Sequence, residues 1–341
     1  MNRKFVVNPL PSKTWNWLNM NRTVLSLDTD NENDIHEKSP WGGIKTGMGE
    51  EIAGLFSGCT ERLIEAKPNE NIGETKIIRM NGSDTLRLYI HGRKNSLLRV
   101  GIIMNDDNIG DNGTPLSLQV KILAEDSARV DISVLQTLSP NTVCICDIGA
   151  VCEENSTVTL TKAELGCGKL YSGIRTNLLG DNSSFDCAVG YWGDGSRIAD
   201  MNYIAEHRGK ATESKMTADN VLMENSQKLF RGTIDFKQGC NGSRGYENES
   251  VLMLGENVIS RSVPLILCGE ENVDGNHGST MGEIDEKGLF YLTSRGIPRE
   301  AAIFMIARSR IDNVLSRIES EDIRNLGKLF LDKLQSAERS V

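Results

Sequence analysis

The feature that most restricts how this chain can fold is an apolar–polar alternation that returns again and again after a turn of similar character. It reads clearly in Leu86-Arg87-Leu88-Tyr89-Ile90, in Ser117-Leu118-Gln119-Val120-Lys121-Ile122 and in Arg129-Val130-Asp131-Ile132-Ser133-Val134. A period of two puts alternate side chains on one face, so each stretch predicts a strand with a buried side. Units opening Glu125-Asp126-Ser127, Glu153-Glu154-Asn155 and Gly180-Asp181-Asn182 repeat the turn-plus-strand pattern at roughly 27 to 28 residues, with drifting echoes near Gly209, Gly239 and Asn257. A β-solenoid fits, because each of its coils pairs with the next and turns at polar, Gly/Asn-rich corners. A sandwich or barrel gives the same alternation, and the pattern alone divides the two evenly.

The two ends read differently. Residues 1–75 carry Pro9-Leu10-Pro11, Thr14-Trp15-Asn16-Trp17-Leu18 and a polar run from Asp28 to Lys38, and predict an N-terminal helical and loop segment anchored by its tryptophans. Residues 76–287 hold the strands. Over 288–341 the period lengthens toward 3.6: Ala301, Phe304, Met305, Ile311, Leu315 and Ile318 fall on one stripe behind Pro298. A second helix starts near Ser320, with Glu321 and Asp322 in its first turn and Ile323, Leu326, Phe330 and Leu334 as its apolar positions.

Charge and composition narrow the function. With 38 basic against 47 acidic residues the formal charge is −9, and no basic cluster offers a docking surface for nucleic acid. No apolar run nears the roughly 20 residues needed to cross a bilayer, and Met1-Asn2-Arg3-Lys4-Phe5 does not open a signal peptide, so the expectation is a cytoplasmic protein without a membrane partner. In that compartment the eight cysteines stay reduced, and the seven Asn-X-Ser/Thr sequons carry no sugar.

Motifs of the common catalysts are missing: there is no Walker loop, HExxH, GxSxG or CxxC pair. Gly239-Cys240-Asn241-Gly242-Ser243-Arg244-Gly245 lacks the Lys-Ser/Thr of a phosphate cradle and reads as a corner. Cys144 and Cys146 share a strand face with Cys152 nearby, but their apolar neighbours favour small core residues over a metal site; Cys268, after Pro264-Leu265-Ile266-Leu267, is likewise expected in the core. His36, His91 and His207 lack ligand-spaced partners. His277 lies in Asp274-Gly275-Asn276-His277-Gly278-Ser279-Thr280, expected to be a turn, near Glu270, Glu271 and Glu283. A neutral imidazole there can ligate a metal, though an ordinary turn histidine is the commoner case.

Several of these stretches carry a resemblance. Phe230-Arg231-Gly232-Thr233-Ile234, Val251-Leu252-Met253-Leu254-Gly255, Val263-Pro264-Leu265, Glu271-Asn272-Val273, His277-Gly278-Ser279-Thr280, Leu289-Phe290-Tyr291-Leu292 and Ser294-Arg295-Gly296-Ile297 resemble, in order and spacing, the C-terminal signature of the SufB/SufD family of iron–sulfur cluster assembly scaffolds. The resemblance implies a mainly β fold: a right-handed parallel β-helix core with an N-terminal helical segment and a C-terminal helical domain. It implies a non-enzymatic subunit of a SufBCD complex, which pairs with a SufB-like paralogue and recruits the ABC-type ATPase SufC. SufC dimerisation would then open the interface where a cluster is built. His277 matches a SufD histidine at that interface, a candidate iron or cluster ligand, and Arg295, Gly296, Ile297, Pro298, Ala301, Phe304 and Met305 become candidate SufC contacts. No tightly bound cofactor is expected, only a transient iron–sulfur cluster between the subunits; the isolated chain is a candidate homodimer.

Departures from the pattern favour SufD over SufB. Glu249 stands where SufB carries a cluster-related cysteine, Gly278 where SufB has a glutamate, and Gly275 where some SufD proteins have a cysteine. Two other readings remain: a SufB-type cluster holder acting as a homodimer with SufC, and a β-helix enzyme acting on polysaccharide. The second would need acidic or arginine clusters along one strand face.

Overall fold

Two eight-stranded parallel sheets face each other across a shared apolar interior. The computed structural model describes residues 2–14, 18–28, 41–82, 84–106 and 115–338. After an N-terminal pair, β1 (Asn2–Val7) and β2 (Thr23–Asp28), the first sheet takes β3 (Thr60–Ala66), β5 (Thr85–Gly92), β7 (Leu116–Ala124), β9 (Val143–Cys152), β11 (Lys169–Leu178), β13 (Ile198–His207), β15 (Gln227–Phe236) and β17 (Ile259–Cys268). The second takes β4 (Asn71–Asn81), β6 (Leu97–Asn105), β8 (Arg129–Thr137), β10 (Thr157–Glu164), β12 (Ser184–Gly193), β14 (Glu213–Met223), β16 (Arg244–Leu254) and β18 (Asp274–Gly282). Each strand pairs with the strand two places on, so the backbone winds from sheet to sheet. That topology is a β-solenoid, and it decides against the sandwich.

In-register pairing stacks like positions into rows. One inward row runs Ile132, Leu160, Cys187, Met216, Glu247, His277, hydrocarbon at first and polar at the end. Cys144, Cys146 and Cys152 face the same interior as small buried hydrophobes; burial pushes the Cys146 thiol up to about 11. The corners explain the repeat. Asn95, Ser127, Asn155, Asn182 and Ala211 sit at positive φ, where asparagine is tolerated best, and each donates its N–H to a carbonyl of the next coil at 2.8 to 3.0 Å. The Gly239–Gly245 stretch is another such corner, with Gly239 and Gly242 at positive φ.

A parallel sheet needs both faces covered, and the chain's own ends do this. Phe5, Val7, Leu25, Leu27 and Phe56 pack with Ile145 of the first sheet. Gly47 and Gly173 allow the N-terminal strap to lie flat on that sheet, since a Cβ on Gly173 would sit 2.3 Å from the Met48 nitrogen. Arg231, fully buried, donates to Asp200 at 2.7 Å and to the Met20 carbonyl at 2.6 Å, and Asn8 reaches the same Asp200 carboxylate. These contacts tie the segment to the body.

The N-terminal segment differs from expectation. Its described residues form the antiparallel β1–β2 pair and short 3₁₀ turns at Trp41–Gly43 and Glu51–Phe56, because Phe5/Val7 and Leu25/Leu27 alternate with a period of two. Residues 15–17 of the expected tryptophan helix, and His36, lie outside the described residues. The solenoid itself starts at Thr60, inside the segment read as N-terminal. At the other end follow α1 (Glu286–Ser294), α2 (Arg299–Ser316) and α3 (Glu321–Glu338); α2 and α3 cover the second sheet and α1 packs on α2, with Phe304, Ala307, Ile311 and Leu315 of α2 near Trp192, Val221 and Leu252.

His207 shows how polar groups are accommodated inside. Its ring lies against Phe236, and its two nitrogens are 2.7 and 2.8 Å from the Thr212 and Ser214 hydroxyls. Burial pulls its pKa down from 6.5 to about 4. The fold therefore favours the neutral ring: this contribution is complete above pH 6.5 and fades as pH falls toward 4, for up to about 3 kcal/mol. Urea denaturation at pH 7 and pH 4.5 should show His207→Gln losing less stability on acidification than the wild type; equal losses would contradict the assignment.

Candidate functional site

The two ends of the solenoid are built differently. At the N-terminal end the outer strands are blunted: β4 shifts register between Ile72 and Lys76, and Glu61, Arg62, Glu74, Lys76 and Arg79 are exposed. Bulges and charges of this kind keep a sheet edge from pairing. At the C-terminal end β18 follows β16 without a register shift, carries no Lys or Arg, and has no buried residue. Its backbone edge is an open template for another strand.

His277 stands on that strand rather than in a turn; its small neighbours Gly275, Gly278 and Ser279 are strand residues in register with β16. Its direction follows from phase. A Cβ on Gly275 would meet the Phe236 ring and Ile266 of the interior, whereas one on Gly278 would meet the exposed Asn248. His277, in phase with Gly275, belongs to the inward row and is exposed as its last member.

Beneath it the interior is ionic. Lys228 and Ser262 both donate to Glu249, and the Asn220 amide donates to it at 3.2 Å. Lys228 and Glu249 are 2% and 1% exposed, so this is a desolvated pair whose members depend on each other. Burial pulls Lys228 below the usual ammonium range, against the attraction of Glu249. Glu247, the row-mate of His277, is pushed up to about 7 by burial and by the Glu249 carboxylate, with Lys228 opposing. Neither Lys228 nor Glu247 stood out in the sequence; the only signal was a charged residue at an inward position of an alternating strand.

The helical candidates divide. Phe304 is 2% exposed, its ring 5.3 Å from that of Trp192, which removes it as a partner contact: it anchors α2 to the solenoid. Ile297 and Ala301 are half-buried, while Arg295, Gly296, Pro298 and Met305 are exposed around the α1–α2 break, where Gly296 takes φ +86°. Beside them α1 exposes Phe290 (73%) and Tyr291, with the Arg295 guanidinium 5.2 Å from the Tyr291 ring centre. Cys268 is exposed at the end of β17, not in the core, because no further coil covers that strand. Among the described residues no group of three or more His, Cys, Asp or Glu is placed to hold a metal ion, and no helix is long and apolar enough to cross a membrane.

These features define a class: a β-solenoid clad by its own termini, with one edge blunted, one edge open, and an exposed aromatic patch beside the open end. Residues 79–310 match the family described as SUF system FeS cluster assembly, SufBD core domain, and the chain belongs to that family. It is 25% identical over 205 residues to the iron-sulfur cluster assembly protein SufD of Bacillus subtilis, covering 60% of this chain and 47% of that protein. It is 25% identical over 181 residues to a SufBD family protein of Synechocystis (53% and 38% covered), and 22% over 222 residues to one of Mycobacterium leprae (65% and 25% covered). The matched segment thus spans about half the length of these relatives or less.

Because Glu249 depends on one buried ammonium, Lys228→Met should cost about 3–5 kcal/mol in chemical denaturation. Adding Glu249→Leu should restore much of that; additive losses would mean the two side chains are not a pair.

Proposed function

We propose that this chain is a SufD-like scaffold subunit of a cytoplasmic iron–sulfur cluster assembly complex. It pairs through its C-terminal edge with a SufB-like paralogue and recruits the ABC-type ATPase SufC on the α1–α2 surface. The observation that carries this reading is the open, in-register, charge-poor edge of β18 with His277 on its inward phase. Two solenoids meeting at such edges would bury their backbone groups in shared hydrogen bonds and bring side chains of both interiors together. A cluster is then cargo held between subunits. The chain itself supplies a rigid body, an imidazole and a docking patch, with no chemical turnover of its own.

Glu249 weighs against the SufB-type reading. A carboxylate already held by Lys228, Ser262 and Asn220 is a poor substitute for a cluster-binding thiolate. The SufC contact is best carried by Phe290, Tyr291, Arg295 and Met305, exposed side chains of the kind that anchor interfaces.

Co-expression with a SufB-like paralogue and SufC, followed by size-exclusion chromatography, tests the proposal. The three chains should co-elute. Ser279→Lys, a charge placed in the open edge, should release the SufB-like partner, whereas Phe290→Ala with Tyr291→Ala should release SufC alone. His277→Ala should leave the complex intact but abolish cluster assembly followed by visible absorption. Failure of the wild-type chain to co-elute overturns the proposal.

A further inference from the structure

The inward row ending at His277 holds one polar group whose role the fold does not explain. Glu247 is 5% exposed, no donor among the described residues is placed on its carboxylate, and its oxygens are not sealed from solvent. Buried carboxylates without partners are rare in folded proteins and call for a reason. Its neighbour Glu249 is fully engaged by Lys228, Ser262 and Asn220, and the charges of Lys228 and Glu249 offset each other. Room for Glu247 is specific: it lies over Gly232, where a Cβ would come within 2.8 Å of its carboxyl carbon.

Register adds the second half. Glu247 and His277 are direct partners on adjacent strands, both in the inward phase. Side chains so placed start from Cβ atoms about 5 Å apart. A carboxylate oxygen and an imidazole nitrogen from such positions can reach one cation at bond lengths of about 2.0–2.2 Å. The surroundings suit this. Below lies the neutral thioether of Met216, alongside is the offset Lys228–Glu249 pair, and above the row is open.

We infer that Glu247, and not Glu249, is the second ligand this chain offers, with His277, to a divalent first-row metal ion at the open end of the solenoid, which leaves the remaining coordination positions for a partner or water. The inference rests on the reading of His277 as a metal ligand. It makes the site a mixed nitrogen–oxygen half-site, suited to Fe²⁺ or Mn²⁺ as an incoming ion rather than to a finished thiolate-bound cluster.

Mn²⁺ alone, added to the full chain labelled with ¹³C-methyl methionine, provides the test. The methyls of Met216, one coil below Glu247, and of Met281, four residues along β18 from His277, should broaden, while Met80 and Met104 in the first coils stay sharp. Glu247→Gln and His277→Ala, each with an unchanged thermal melt, should each raise the Mn²⁺ concentration needed by at least about tenfold, the scale of losing one ligand contact. Loss with His277→Ala but not with Glu247→Gln overturns the inference and leaves the histidine reading standing. Broadening that survives His277→Ala, or none in the wild type, overturns both.

Discussion

Everything in this molecule depends on the in-register stacking of one coil on the next. Hydrogen bonds between coils fix which residues share a row, so the character of each inward position is set by what lies above and below it. Apolar rows run through the middle of the stack, where every side chain has neighbours on both sides. At the last coil one neighbour is missing, and there the row from Ile132 to His277 turns to carboxylate and then imidazole. Inside the stack a polar side chain is kept only with a partner, as Lys162 is by Glu164 and Ser172, whereas at the last coil the row opens to solvent.

The termini make the stack possible without forming part of it. Parallel sheets expose two apolar faces, and a solenoid of this length would aggregate along its flanks if they stayed bare. The β1–β2 pair with its strap covers one flank and α2 with α3 covers the other, each pinned by a few specific contacts such as Arg231–Asp200 and Phe304–Trp192. With both flanks closed, the coil ends and the outward sides of the helices, where Phe290, Tyr291, Met305 and Leu329 are exposed, stay accessible.

Much of this was legible in the chain, for reasons that are local. Alternation in β5, β7 and β8 gives the strands, and Asn or Ser at the corners gives the turns, because positive φ restricts the residue type at one position. Sheet order was not legible: pairing is between coils, and the same alternation serves a sandwich. The Phe5/Val7 and Leu25/Leu27 alternation was outweighed by the tryptophan-rich stretch between them. Small Gly275, Gly278 and Ser279 suggest a turn around His277, yet small residues equally suit an exposed outermost strand. Phe304 and Met305 are adjacent on one helix, so composition cannot tell which faces Trp192. The Lys228–Glu249 pair joins residues 21 apart on opposite sheets, a relation visible only once the winding is known.

The unequal ends also bear on how large an assembly can grow. A body with two receptive ends adds copies head to tail, and unless the rotation closes a ring the product is a filament without a natural limit. Here the register shift in β4 and the exposed charges of the first coil disfavour strand addition at that end, while β18 leaves the other edge regular. That asymmetry works against head-to-tail growth, the fibrous state that stacked β-structure would otherwise invite.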